Sequence, residues 1–177
     1  MTRHVALLRG INVGGKNKLP MKDLAAIFEA SGARDIVTYI QSGNVVFTAT
    51  AALARAIPTV VEDGIEQRFG FRVPMVIRSA SHLAAVLAGC PFAGKPTELL
   101  HVFFLSAKPT AQVLATLDPA HSPPDEMRVV GQEIWLHCPK GLARSKFTNA
   151  WLDRKLGVVS TARNHQTLTK LVELSRS

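Results

Sequence analysis

A chain of 177 residues, 47% of them apolar, is long enough for one ordinary domain or two small subdomains and rich enough in apolar side chains to build a core, which excludes a disordered chain. Its longest apolar runs, such as Val102-Phe103-Phe104-Leu105, are far too short for a membrane-spanning helix, and the N-terminus lacks the long apolar stretch of a secretory signal, so a cytoplasmic protein without membrane partners is expected. The net charge of +8 is segregated: residues 1–20 carry +4 with no acid, residues 139–177 carry +6, and residues 21–138 carry −2. Clustered positive charge favours anionic partners, while the simpler reading is solvated lysine and arginine that aid solubility.

Residues 3–9 read as a buried strand and 10–20 as a loop. Leu24, Ile27 and Phe28 recur at helical spacing over 21–31, and Gly32 closes that helix. Residues 36–41 and 45–48 are strand-like and flank the turn residues Ser42-Gly43-Asn44, a hairpin signal. A second helix spans 51–69, where Pro58 predicts a late start or a kink. A strand at 72–77 and a short helix at 79–87, with Ser79 at its start, complete the first set. Gly89, Pro91, Gly94 and Pro96 mark a junction.

The order then repeats. A strand at 101–105 and a helix at 110–117 lead to a loop with Pro119, Pro123 and Pro124. A hairpin follows at 126–130 and 133–138, then a helix at 145–156 closed by Gly157, a strand at 158–161 and a last helix at 164–174. Each half reads β-α-β-β-α-β and then a helix. The expected class is α+β: two tandem ferredoxin-like halves, 1–92 and 93–177, arising by internal duplication. The repeat lies in the order of elements rather than in evident residue identity.

Strands joined through a helix within one sheet run the same way, so the loop after 3–9 and the turn after 36–41 should meet at one edge. That gathers Arg9, Asn12, Lys16 and Lys18 with Gln41, Ser42 and Asn44. Similar reasoning gathers Lys140, Arg144 and Lys146 with Arg163 and Asn164 in the second half. In the first cluster, Gly10-Ile11-Asn12-Val13-Gly14-Gly15-Lys16 follows a strand and fits a phosphate-binding loop up to its lysine. Asn17 stands where a magnesium-binding hydroxyl belongs, and Leu19-Pro20 separates the loop from the helix, which argues against nucleoside-triphosphate hydrolysis. The simpler reading is a tight loop whose glycines accept positive φ. Gln41 and Asn44 add amide groups, or serve only the turn. Arg163, read at the start of the last helix, opposes the helix dipole unless it meets an anion, and Asn164 is a ready N-cap.

No nucleophilic triad is visible, and carboxylates are scarce beside the basic loops. Cys90 and Cys138 each precede a proline and read as reduced residues. The six histidines stand at no ligand spacing, so no metal site is expected, and nothing in the pattern names a cofactor or an oligomeric state. Aromatic residues make up only 6%, and Phe103 and Phe104 read as core rather than as base-stacking platforms.

The stretch Ala6-Leu7-Leu8-Arg9-Gly10-Ile11-Asn12-Val13-Gly14-Gly15, followed by Thr38-Tyr39-Ile40-Gln41-Ser42-Gly43-Asn44-Val45-Val46-Phe47, resembles the bacterial family of domain of unknown function 1697. Thr161-Ala162-Arg163-Asn164 with Thr167 and Leu171 is similar to that family's closing motif, with His165 standing where an aromatic residue, usually tryptophan, is expected. The resemblance implies an α+β fold with internal duplication and carries no activity and no catalytic residues. Three functions fit: binding of a phosphate-bearing ligand, nucleic acid before free nucleotide; a small-molecule enzyme with its site where loop 10–20 meets turn 42–44; and a protein-interaction domain.

Overall fold

The computed structural model describes residues 1–176 and is an α+β protein with two four-stranded antiparallel sheets and six helices. In the first half, β1 (Thr2–Leu8), α1 (Met21–Ala30), β2 (Arg34–Tyr39), β3 (Asn44–Ala49), α2 (Ala51–Phe69) and β4 (Met75–Ser79) are followed by α3 (Ala80–Ala88). The strand order is β2-β3-β1-β4. One sheet face presents Ala6, Leu8, Val45, Phe47 and Met75 to Leu24 and Phe28 of α1 and to Ala54, Ile57, Val61 and Ile65 of α2. Those helical positions recur every three or four residues, the spacing of a single apolar stripe. The other face, with Val5, Leu7, Val46 and Val76, is buried as well. Burial on both sides is why these strands read as unbroken apolar runs rather than alternating ones.

The second helix starts at once and runs through Pro58. The Thr50 side chain accepts from the Leu53 N–H at 3.2 Å, and Gly70 closes the helix in the left-handed conformation. The expected late start is absent because this cap and the buried stripe hold the first turn against the proline's missing donor.

The second half holds β5 (Leu100–Leu105), α4 (Ala111–Leu114), β6 (Glu126–Val130), β7 (Glu133–His137), α5 (Asn149–Leu156), β8 (Ser160–Asn164) and α6 (His165–Leu174), with strand order β6-β7-β5-β8. Phe103, Leu105, Ile134 and Leu136 meet Phe147, Trp151, Leu152 and Leu156 in its core. Phe104 and Trp135 lie fully buried on the opposite face. Several boundaries differ from the sequence reading: β2 is Arg34–Tyr39 rather than 36–41, β4 is Met75–Ser79 rather than 72–77, and the helix expected at 110–117 is the four-residue Ala111–Leu114. The fifth helix begins at Asn149, not 145, because Thr148 caps it by accepting from the Trp151 N–H, while the preceding residues form a short 3-10 turn, Leu142–Arg144. The last strand extends to Asn164, because its Thr161, Ala162 and Arg163 pair with Phe104, Phe103 and Val102 of β5.

The pairings of the central strands, β1 and β5, correspond between the halves. Val5 faces Arg78 as Val102 faces Arg163, and His4 faces Ser79 as His101 faces Asn164. Leu7 faces Asn44 as Phe104 faces Glu133. Ser79 and Asn164 each cap the next helix, accepting from the N–H of His82 and Thr167, and each helix then buries a leucine, Leu83 and Leu168. Burial pulls the imidazoles of both His4 and His101 below the usual range. By internal contacts the chain divides into two compact units: Met1–Ala84 with the residues from Lys170 onward, and Ala85–Thr169. The division falls at matched positions of α3 and α6.

Candidate functional site

In the first sheet β1 and β2 are both antiparallel to β3, so both end at one edge. There residues 9–20 meet the turn at residues 40–43. The Asn12 side chain makes the junction. Its Nδ2 donates to the Leu19 carbonyl at 2.9 Å and to the Gln41 carbonyl at 2.8 Å, and its Oδ1 accepts from the Leu19 N–H at 2.8 Å. The Leu8 N–H donates to the Gly43 carbonyl at 2.8 Å, tying the turn to the end of β1.

Between these anchors the glycine-rich stretch folds on itself. The Lys16 N–H donates to the Val13 carbonyl at 3.0 Å, and Gly14 and Gly15 both have positive φ, 58° and 74°. Two left-handed central residues define a type I′ turn, so these glycines serve a miniature hairpin rather than the phosphate loop that opens directly into a helix. Asn17 is left-handed too, at φ 49°, and its Nδ2 donates to the Gly10 carbonyl. Across the edge, Ile40 has φ 49°. A β-branched residue in that region is a rare conformation that its surroundings must impose. Asn12, Asn17 and Ile40 are thus three left-handed non-glycine residues at one sheet edge.

The predicted residues divide by role. Asn12 and Asn44 hold the architecture; Asn44 is fully buried, its Nδ2 donating to the Tyr39 carbonyl and to Ser42 Oγ, both at 3.1 Å. Arg9 and Ser42 are half-buried, and Lys16, Lys18 and Gln41 are exposed. Among the described residues no carboxylate lies within ion-pair distance of Lys16 or Lys18. The site is therefore a braced, positively charged loop whose amide side chains build it and whose two ammonium groups face solvent. The sequence reading gave Gly43 only a turn role and did not single out Ile40, whose left-handed φ shapes the turn. Only the Ser42-Gly43-Asn44 punctuation hinted at it.

In the second sheet β7 and β8 end beside the start of β5, at Leu100 and His101, so the loop after β7 and the start of α6 lie at one sheet end. Arg163 does not open a helix; it sits in β8, 8% exposed, donating to Thr161 Oγ1 at 2.9 Å and to the Ala162 carbonyl at 2.7 Å. Burial lowers its guanidinium to about 10. Asn164 accepts from the Thr167 N–H at 2.7 Å and is the N-cap of α6. Lys140, Arg144 and Lys146 are exposed. His165, the departure from the family motif, packs its ring 6.3 Å from that of Trp135.

Neither cysteine is in a disulfide. Burial raises the Cys138 thiol to about 11, and Asp125 adds to the shift. At pH 8 iodoacetamide is therefore expected to label Cys90, which is half-buried, and to spare Cys138 in the folded protein; peptide mass analysis before and after unfolding checks this. Among the described residues no three His, Cys, Asp or Glu side chains are grouped to hold a metal ion, and no helix is long and apolar enough to cross a membrane.

Comparison with known protein families identifies the family of this chain. The chain belongs to the family described as protein of unknown function DUF1697, whose model matches residues 1–135. Among solved structures, the conserved bacterial protein SP0830 from Streptococcus pneumoniae is similar in fold, with a TM-score of 0.77 and 22% sequence identity over 100% of this chain and 99% of that one. No curated protein matches the chain.

Proposed function

We propose that this protein binds a phosphate-bearing ligand, nucleic acid before free nucleotide, through the basic loop at residues 9–20. The observation that carries the reading is a comparison within the chain. The second half connects β5 to α4 with five residues, 106–110, whereas the first half uses twelve, 9–20, for the corresponding step from β1 to α1. Closing the fold does not require the longer loop. Its extra residues supply the glycine hairpin, Lys16 and Lys18. A braced loop keeps these cations in place, so little ordering entropy is lost when an anion binds. The amides of Asn12 and Asn44 are occupied within the loop and turn, which favours binding over catalysis at this edge.

The same comparison supports two ferredoxin-like halves, 1–92 and 93–177, descended from one duplicated unit. The matched His4/His101 and Arg78/Arg163 registers are its residue-level trace. A cytoplasmic location suits both the free thiols and such a ligand.

The test is fluorescence anisotropy of a labelled single-stranded oligonucleotide at low and physiological salt, with Lys16→Ala/Lys18→Ala beside the wild type. Both lysines are exposed, so the fold is expected to persist. The variant is expected to bind about tenfold more weakly at physiological salt and to lower the slope of log affinity against log salt by about 1.4, near 0.7 per neutralised phosphate on a single strand. Binding absent at physiological salt, or indifferent to both substitutions, would sink the reading.

A further inference from the structure

The second half carries its own departure from the repeated plan. In the first half the chain leaves β3, passes the single residue Thr50, and enters the long helix α2. In the second half it leaves β7, forms only the short 3-10 turn Leu142–Arg144 within residues 138–148, and then enters the short helix α5. The whole crossover is no longer than its counterpart: 22 residues, 138–159, against 25, 50–74. The room for the loop comes from a shorter helix, not from a longer crossover.

A helix would satisfy these backbone groups internally; the loop is instead held by bonds within itself and to Leu99 and Ser122. The Cys138 N–H donates to the Leu99 carbonyl at 2.9 Å and the Gly141 N–H to the Cys138 carbonyl at 2.9 Å. The Lys146 N–H donates to Ser122 Oγ at 2.9 Å and the Phe147 N–H to Ser145 Oγ at 3.1 Å. Phe147 is buried as the loop's apolar anchor. Lys140, Arg144 and Lys146 remain exposed, and among the described residues none has a carboxylate within ion-pair distance. The acid that follows on α5, Asp153, turns its Oδ1 to the N–H and hydroxyl of Ser160 at 2.8 and 2.7 Å.

Beside these cations stands an aromatic stack. The His121 ring lies 4.4 Å from the Trp151 ring at an interplanar angle of 13°, with Phe147 edge-on to Trp151 at 5.4 Å. His121 is half-buried and directly precedes Ser122, whose hydroxyl receives the Lys146 N–H. A ring fixed by a parallel partner, next to unpaired cations, suits a ligand with both a flat base and a phosphate chain. A base can join such a stack only when it is not already paired and stacked inside a duplex.

We propose that the 138–148 loop, with the His121–Trp151 stack, is a second binding surface that takes single-stranded nucleic acid, its phosphates on Lys140, Arg144 and Lys146 and a base against His121. The assignment rests on the reading of the first loop as a phosphate site, and it specifies the form of nucleic acid.

Anisotropy with a labelled oligothymidylate of 15 nucleotides, and with a duplex of equal length, compares the wild type, Lys140→Ala/Arg144→Ala/Lys146→Ala, His121→Ala, His121→Phe and Lys16→Ala/Lys18→Ala. Far-ultraviolet circular dichroism and urea unfolding check that each variant is folded. The triple variant is expected to bind the single strand at least tenfold more weakly and to lower the salt slope by about 2. His121→Ala is expected to weaken single-strand binding by about tenfold and leave duplex binding unchanged, and His121→Phe to restore it, since any flat ring stacks. A triple variant with wild-type affinity and slope, while Lys16→Ala/Lys18→Ala is weakened, would overturn this surface and leave the first loop standing. Equal affinity for strand and duplex, insensitive to His121→Ala, would overturn the single-strand assignment. No binding by the wild type would overturn both readings.

Discussion

Gly43→Ala is expected to destabilise the protein by about 3 kcal/mol, the largest effect of any single methyl group added at this edge, and to release the turn at residues 40–43 from the loop it braces. Two costs combine. Gly43 has φ 82°, where an L-residue's Cβ crowds its own backbone at about 1–2 kcal/mol. The added Cβ would also stand 2.6 Å from Leu8 Cβ and 3.0 Å from Ile11 Cδ1. The isoleucine terminus can rotate aside, but Leu8 Cβ is fixed to the β1 backbone, so strand or turn must shift, which costs about 1–3 kcal/mol more. Gly10→Ala separates the two effects. Gly10 has φ 75° yet nothing within 4 Å of its would-be Cβ, so it reports the backbone cost alone, about 1 kcal/mol. Urea unfolding of both variants checks the difference. Equal midpoints would mean that the close approach at Gly43 costs nothing.

The same edge shows how far the sequence could be read. That residues 9–20 and the turn would meet followed from strand direction alone, because β1 and β2 must point the same way. The hairpin inside the loop did not follow. Gly10 to Lys16 also fits a phosphate-loop pattern up to its lysine; Asn17 and Leu19-Pro20 argued against that reading, and the Val13–Lys16 bridge shows what the glycines form instead. Arg163 was misplaced for a related reason. Ala162-Arg163-Asn164 carries a cap signal that reads equally well as a helix start, and only pairing with β5 shows that the strand continues to the cap. The residue-level repeat was hidden because the connections differ in length between halves. His4 and His101 are therefore separated by more chain than Arg78 and Arg163, and no fixed period aligns both pairs. Likewise the stacked His121 and Trp151 lie on opposite sides of a hairpin in the chain, a proximity set by tertiary structure alone.

Asn12→Ala is expected to weaken ligand binding at the first loop by up to about tenfold, as much as removing both lysines, while leaving both sheets folded, at a stability cost of about 3 kcal/mol from three lost hydrogen bonds and a left-handed alanine. The bonds run to Leu19 and Gln41, residues that bound the loop on one side and the turn on the other, so one side chain sets where Lys16 and Lys18 stand. Asn12 has φ 54°, a conformation that asparagine tolerates better than alanine, and Asn12→Gly isolates that component. Glycine relieves the backbone strain but restores no hydrogen bond, so it should recover about 1 kcal/mol of stability and none of the binding. Asn12→Asp keeps the acceptor for the Leu19 N–H and turns the donor into an oxygen facing the Leu19 and Gln41 carbonyls. It should therefore be the least stable of the three above the carboxyl's ordinary pKa and gain stability as pH falls and that oxygen regains a proton to donate. Unfolding curves at pH 4 and pH 7, read beside oligonucleotide anisotropy, separate these outcomes. An Asn12→Gly protein that binds as the wild type does would mean that the cations need no brace.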